Sequence, residues 1–386
     1  MLKAYKTELN PTPEQITKIV QSMGICRFLY NQYLGYNFAR YEQGETFISG
    51  YDFDKYVNHE LSKQYPWIKI CGSKARKKAI MNAETAFKRF FKGQSRRPRF
   101  KKKKNQDVKV YFPKNNKGDL IVERHRIKIP TLGWVRLKEK GYIPTTGKVK
   151  SCTLTQQADR FYISVLVEVS TSESKEKHSY VEGIGMDLGI KHFAVLSNGQ
   201  VFKNINRSSA IKRTEKRLKR EQRALSRKYE FRKKRGETTA TKSGSNIRKN
   251  ILRVQKLHAR LARMREAYRA FVVSMIAKAK PSYITIEKLN VQGMMKNRHL
   301  SKSIADQGFY DLKMKLLNMC TKLGIELREV NPFYPSSKLC SSCGHKKEKL
   351  SLSERIFQCE SCGHTLDRDL NAAMNLMQAK EYVVLT

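Results

Sequence analysis

Acidic residues are scarce in this chain: 34 Asp and Glu stand against 78 Lys and Arg, a formal net charge of +44 over 386 residues. A compact fold with that excess repels itself unless a polyanion neutralises it. Long apolar runs are missing too, and none approaches the roughly eighteen residues of a membrane span. The basic residues are spread through many segments rather than gathered beside an anchor, so no membrane partner is expected. No targeting segment opens the sequence, which makes a reducing cytoplasm the expected setting. Cysteine is sparse outside one cluster: Cys26, Cys71, Cys152 and Cys320 stand singly in apolar or mixed surroundings. Nucleic acid is the partner this balance favours, and the excess is large enough for a big structured RNA as a permanent one.

The remaining four cysteines form the most informative feature. Cys340-x2-Cys343 and Cys359-x2-Cys362, with fifteen residues between the pairs, match the spacing of a tetrahedral four-thiolate zinc ribbon. Each knuckle continues Cys-Gly-His, supplying the glycine such tight turns need. A disulfide framework is the competing reading, and a chain without a secretory signal argues against it. Directly after the second pair comes Asp367-Arg368-Asp369-Leu370-Asn371-Ala372-Ala373, an acidic pair delivered onto a helix.

The length allows two or three domains. Residues 1–10 read as a short strand ended by Asn10-Pro11-Thr12-Pro13-Glu14, which pairs an N-cap threonine with a first-turn proline. Ile16, Ile19, Val20, Met23, Phe28, Leu29, Tyr33 and Leu34 follow at helical spacing. A further helix is expected over 73–91, burying Ala79, Ala83, Ala86, Phe87 and Phe90 and showing Lys74, Arg76, Lys77, Lys78 and Arg89. After a basic linker at 96–104 the pattern alternates from Val108 to Val169, with turn signals at 116–119, Pro144 and Gly147, as in a small antiparallel barrel. Residues 170–178 read as a polar linker.

The second half opens on the apolar strand Gly183–Gly189, then Phe193-Ala194-Val195-Leu196, an Asn198-Gly199 hairpin turn, and Val201-Phe202. Two long basic helices are expected at 208–234 and 246–279, joined by a flexible stretch at 236–245. Leu218, Leu225, Ile251, Leu252, Leu257, Leu261, Met264 and Phe271 would pair them, leaving a surface with few acidic residues to face nucleic acid. The strand 283–287, a Gly/Met-rich loop at 291–295, a helix through about Leu323 and the strand 325–330 lead to the cysteines.

Three carboxylates stand out. Asp187 lies within a glycine-flanked apolar strand, where a charge is costly unless it binds something. Glu287 ends the strand Tyr283–Glu287, and Asp369 opens the helix after the cysteines. Taken singly, each has an ordinary role as turn residue, strand-end charge or helix cap. Together, in this order, they describe an RNase H or integrase type core whose oxygen ligands suit Mg2+ or Mn2+ for phosphodiester attack.

At these residues the chain closely resembles the TnpB family of transposon-encoded RuvC-type nucleases, relatives of type V CRISPR effectors. The matching pieces are Gly185-Met186-Asp187-Leu188-Gly189-Ile190-Lys191, Ile286–Met294 and Tyr334–Asn375. Leu9–Gln15, Ala86–Phe91 and Pro98-Arg99-Phe100-Lys101 are similar as well. The resemblance implies a multidomain α+β protein: a RuvC core over 180–386 carrying a basic helical hairpin (203–280) and the zinc ribbon (336–366). An antiparallel wedge β-barrel would comprise 1–10 and 96–175, with a helical recognition lobe (11–95) inserted. It implies an RNA-guided, Mg2+-dependent endonuclease that uses a noncoding guide RNA and a target-adjacent motif to cut double-stranded DNA, with no obligate protein partner. Asp187, Glu287 and Asp369 would be the catalytic, magnesium-binding carboxylates, Asp369 rather than Asp367 by the family pattern. Cys340, Cys343, Cys359 and Cys362 would hold one Zn2+. Tyr51, Ser73 and Lys77 would contact the target-adjacent motif, and Arg217, Lys219, Arg220, Lys233, Lys234 and Arg235 the RNA. The tail departs from the pattern: only 376–386 follow the motif, fewer than in many relatives.

Two other functions fit parts of this reading. A nuclease-inactive RNA-guided repressor would lack one of the carboxylates, and all three are present. A strand-transfer transposase would be expected to carry an end-recognition domain such as a helix-turn-helix, for which the sequence offers no clear signal.

Overall fold

Strict alternation of burial builds the first sheet. In β7 (Arg160–Glu168) Phe161, Ile163, Val165 and Val167 are buried while their neighbours turn outward, the period-two pattern of a strand with one covered face. The computed structural model describes residues 2–105, 108–114, 118–169, 182–237, 244–351 and 353–386. They divide into two compact units, Met1–Ser172 and Glu173–Thr386.

In the first unit β7 is joined by β1 (Leu2–Asn10), β2 (Val110–Pro113), β3 (Ile121–Val122), β4 (Arg126–Ile129), β5 (Gly133–Leu137) and β6 (Lys148–Gln157). The antiparallel sheet runs β2-β6-β7-β1-β5-β4-β3. Residues 2–10 thus sit mid-sheet, and the sheet ends on β2 and β3, which do not pair with one another. Between β1 and β2 lie α1 (Pro13–Glu42), α2 (Gly50–Tyr56), α3 (Ser62–Gln64) and α4 (Ser73–Phe91). Thr12 and Gln15 close a capping box at the start of α1, and the Gln15 amide donates to the Leu132 and Trp134 carbonyls at 3.2 and 2.8 Å, tying α1 to β5. Ile16 and Val20 are exposed, on the face of α1 turned from its core. Three expectations for α4 are corrected. Phe90 is exposed, Ala86 is only half-buried and Arg76 is buried, because the core-facing stripe of α4 is Ala75, Arg76, Ala79, Ile80, Ala83 and Phe87.

The second unit has a mixed six-stranded sheet. Its strands are β8 (Ile184–Leu188), β9 (His192–Leu196), β10 (Val201–Lys203), β11 (Tyr283–Glu287), β12 (Glu326–Val330) and, after the ribbon hairpin β13 (Ile356–Gln358) and β14 (Thr365–Asp367), β15 (Val383–Val384). The order is β10-β9-β8-β11-β12-β15, with β8, β11 and β12 parallel and the rest antiparallel. Its helices are α5 (Ser209–Lys234), α6 (Ser245–Lys278), α7 (Val291–Met294), α8 (Ser301–Gln307), α9 (Phe309–Leu323) and α10 (Arg368–Met377).

Several expectations change in this unit. The Gly/Met-rich loop is the short helix α7, which forms because the Asn290 side chain accepts from the Gly293 N–H at 2.9 Å. The single helix expected through Leu323 is two, separated by Gly308 at φ 66°. The tail adds β15 to the sheet edge, Val383 opposite Glu329 and Val384 opposite Arg328. Phe271 is exposed, while Ile211 joins Leu218, Leu257 and Leu261 in a separate core between α5 and α6. The linker expected at 170–178 lies outside the described residues, as do 116–117 and 238–243. Among the described residues no helix is long and apolar enough to cross a membrane.

Candidate active site

Parallel pairing brings two of the three carboxylates side by side. Ile286 lies opposite Met186 in the β8–β11 register, so Asp187 and Glu287 occupy the next step along the two strands. The third arrives on α10, which packs directly on β8. A Cβ at Gly185 would fall 1.9 Å from the Ala373 carbonyl oxygen and 2.4 Å from the Met377 nitrogen. Glycine in the strand, with Ala372 and Ala373 buried on the helix, permits that approach.

The two aspartates at the head of α10 have different duties. Asp367 is the N-cap: its carboxylate accepts from the Asp369 and Leu370 N–H groups at 3.0 and 3.1 Å. Asp369 lies in the first turn, where the helix dipole favours a negative charge, with Arg368 Nε 3.7 Å from its Oδ1. Burial, reinforced by the charges of Glu287 and Asp369 and opposed by Arg368, pushes the Asp187 carboxyl up to about 8. The Ser336 hydroxyl donates a short hydrogen bond to Glu287 Oε1.

Two asparagines fasten α10 to the segment entering the ribbon. Asn371 donates to the Leu339 carbonyl at 2.7 Å and accepts from the Ser341 N–H at 3.0 Å. Asn375 donates to the Ser336 and Leu339 carbonyls at 2.8 and 2.7 Å. The asparagines, Ser336 and the close approach at Gly185 were not singled out from sequence. The signal for the asparagines is their spacing: Asn371 and Asn375 lie four residues apart, on one face of α10.

In the ribbon the four thiol sulfurs lie within 4.8 Å of one another. Cys340 and Cys362 are 3.7 Å apart, Cys343 and Cys359 3.6 Å, close to the edge of about 3.8 Å that a tetrahedral Zn–S4 centre requires. The knuckles repeat one geometry: the Cys340 N–H donates to the His345 carbonyl and the Cys359 N–H to that of His364, each at 2.9 Å. Gly344 and Gly363 take φ of 75° and 71°. The backbone N–H of Cys362 leads the causes that draw the Cys359 thiol down to about 6. Among the described residues this is the one group of three or more His, Cys, Asp or Glu side chains gathered closely enough to hold a metal ion.

The basic residues fall in two places. Arg217, Lys219, Arg220, Lys233, Lys234 and Arg235 are all exposed on α5 and its C-cap. Among the described residues none of the six forms an ion pair, and Arg235 covers the Phe231 ring at 4.3 Å. On α2 and α4, Lys77 Nζ sits 4.2 Å from the centroid of the exposed Tyr51 ring, and Ser73 lies exposed one turn earlier.

Three family models match parts of the chain: "Helix-turn-helix domain" over 1–46, "Probable transposase" over 163–298, and "Cas12f1-like, TNB domain" over 309–376. The first name describes two helices about a turn, whereas these residues form one strand and one 30-residue helix. A protein of Escherichia coli (strain K12) named "Putative RNA-guided DNA endonuclease InsQ" is 31% identical over 99% of this chain and 93% of its own length. "TnpB-like protein L79" of Acanthamoeba polyphaga mimivirus is 29% identical over 71% of this chain and 52% of its own length. Among solved structures, a cryo-EM structure of the Cas12f1-sgRNA-target DNA complex aligns with TM-score 0.59 at 14% identity, covering 98% of both chains, a likeness of fold. Similarity that spans nearly all of the chain, together with family models that fall on both units, establishes that it belongs to the TnpB family, a relative of the type V effectors.

Proposed function

We propose that the chain is an RNA-guided endonuclease that cuts double-stranded DNA, with Asp187, Glu287 and Asp369 as its catalytic carboxylates. The observation that carries this reading is their delivery from β8, β11 and α10 to one end of one mixed sheet, where the charges of Glu287 and Asp369 help hold the proton on Asp187. A donor set of carboxylate oxygens fits Mg2+ or Mn2+ rather than zinc. When bound, that metal supplies an activated water and charge stabilisation at the leaving oxygen of a phosphodiester. The chain's own residues aim the ligands: Ser336 holds one oxygen of Glu287, and Asp367 occupies the cap, so the Asp369 carboxylate is not spent on capping and has Arg368 beside it. Four thiolates at tetrahedral spacing fit one structural Zn2+, which when bound cross-links the two knuckles.

The remaining parts take roles by family. The unit 173–386 acts as the RuvC nuclease, the sheet of β1–β7 as the wedge, and the helices from α1 to α4 as the recognition lobe. Tyr51, Ser73 and Lys77 meet the target-adjacent motif; the exposed cations of α5 meet the guide RNA. The names of the relatives support both partners.

The test is to sequence the RNA that copurifies with the chain, then incubate the complex with Mg2+ and double-stranded DNA matching its guide. Cutting of the matched DNA is the expected result. Binding without cutting, or joining of transposon ends, would overturn it.

A further inference from the structure

A cavity of about 460 Å³ opens beside Glu287, within the range of small-ligand sites, about 300–1,000 Å³. Leu188, Leu289 and Phe309 form much of its apolar wall, and Asn290 offers a polar edge. Phe309 is locked in the core, its ring stacked 6.3 Å from that of Phe193. Its neighbour Tyr310 also lines the cavity but is 70% exposed, and among the described residues its ring makes no aromatic contact. Glu329, which lines the cavity too, is paired with Lys313 at 2.5 Å.

We propose that this cavity receives a nucleobase of the strand being cut, next to the scissile phosphate, with the base stacked on Tyr310. The inference rests on the endonuclease reading and adds a substrate contact to it. Continuity argues for it: the Glu287 carboxylate that would act at the phosphate also lines the cavity, so a nucleotide at the site has its base at the entrance. Charge is compatible with it. The charged lining residues are balanced, Glu287 and Glu329 against Lys288 and Lys313, with Glu329 paired to Lys313, so the wall has no net charge to draw a phosphate in. A flat, uncharged ring with polar edges suits an apolar wall rimmed by an amide. Stacking on an aromatic face tolerates any base, as a nuclease whose specificity resides in guide pairing requires.

The experiment uses the RNA-loaded chain and target DNAs in which single nucleotides around the cut are replaced by an abasic analogue. One abasic position should lower kcat/KM about tenfold, and Tyr310→Ala should lower it about tenfold on intact DNA. The two losses should not multiply when combined, and Tyr310→Phe should stay within about twofold of wild type. Tyr310→Ala cutting at the wild-type rate, or two losses that multiply, would overturn the proposal. If the wild-type chain cuts nothing, the endonuclease reading fails by itself, and the cavity is tested separately. A single-stranded oligodeoxynucleotide bearing 5-iodouracil, irradiated with the chain, should crosslink to the Tyr310 peptide; crosslinks confined to other peptides would overturn it.

Discussion

Gly185 and Ala373 are packed backbone to backbone: a methyl group on the glycine would lie 1.9 Å from the alanine carbonyl oxygen. Since neither partner is a flexible side chain, Gly185→Ala must push α10 off β8. Overpacking of this kind costs about 1–3 kcal/mol or more, so the melting temperature should fall by roughly 3–10 °C. Cleavage should fall further than stability alone explains, because α10 carries Asp369. Calorimetry and a cleavage assay on the same preparation check both.

Asp187 makes the magnesium-free fold sensitive to alkali. Its carboxyl is raised from 3.8 to about 8, so between those values the folded chain holds a proton that the unfolded chain has released. Stability from this group therefore declines as pH rises above about 4, and the full penalty is reached near pH 8. Asp187→Asn has no such penalty. The two proteins should melt together near pH 4, and the variant roughly 2–8 °C higher at pH 8. Added Mg2+ should close the gap by stabilising the ionised wild type. Melting curves of RNA-free protein across that pH range decide it.

The aspartates at the head of α10 should separate cleanly by substitution. Asp369→Asn, like Asp187→Ala and Glu287→Gln, should lower cleavage by about 10³-fold or more while leaving RNA and target binding intact. Asp367→Asn should cut almost normally, since asparagine caps a helix as well as aspartate does. Single-turnover cleavage beside a filter-binding titration measures each; inactivity of Asp367→Asn with activity in Asp369→Asn would reverse the assignment.

One zinc per chain is expected. Metal binding to such a ribbon is largely its folding energy, on the order of 10–16 kcal/mol in small zinc peptides. Cys340→Ser should lose the metal and loosen Ser341 and Leu339 from Asn371, reducing activity without touching the carboxylates. Elemental analysis of both proteins reads the first effect, and a fully active Cys340→Ser would contradict the second.

Binding of the copurifying RNA should weaken steeply with salt, each phosphate contact adding roughly 0.7–0.9 to the log-log slope. Neutralising Arg217, Lys219 and Arg220, or Lys233, Lys234 and Arg235, should flatten that slope, whereas Asp187→Ala should not. Titrations at several salt concentrations test this; an unchanged slope would mean that α5 does not face RNA.

Much of this was legible because strong local patterns carried it. Alternation marked β6 and β7, the turn at Gly199 marked the β9–β10 hairpin, and cysteine spacing marked the ribbon. What escaped depends on the third dimension. Nothing local distinguishes Arg76 from its exposed neighbours; only the rotation of α4 against α1 buries it. Val383 and Val384 are too short a run to signal a strand, and become one only because β12 offers an unpaired edge. Ser336 gains meaning from a partner, Glu287, that is close in space and far in sequence.

The α5–α6 hairpin interrupts the nuclease sheet at a revealing point. Ile184 pairs with Ile284, so the first parallel contact of the sheet must wait for the whole arm to be made and gathered in. For a disordered loop, closure cost rises by about 0.6 kcal/mol with each doubling of length, and distant contacts of this kind slow folding. The arm shortens the effective loop because Ile211, Leu218, Leu257 and Leu261 form a small core of their own. Its base is then pinned by Arg265, which reaches Glu215 at 3.0 Å and Asp306 at 2.8 Å. An arm with a core of its own is thus a splint: once formed, it keeps β10 and β11 within reach of a common sheet whether or not nucleic acid is bound.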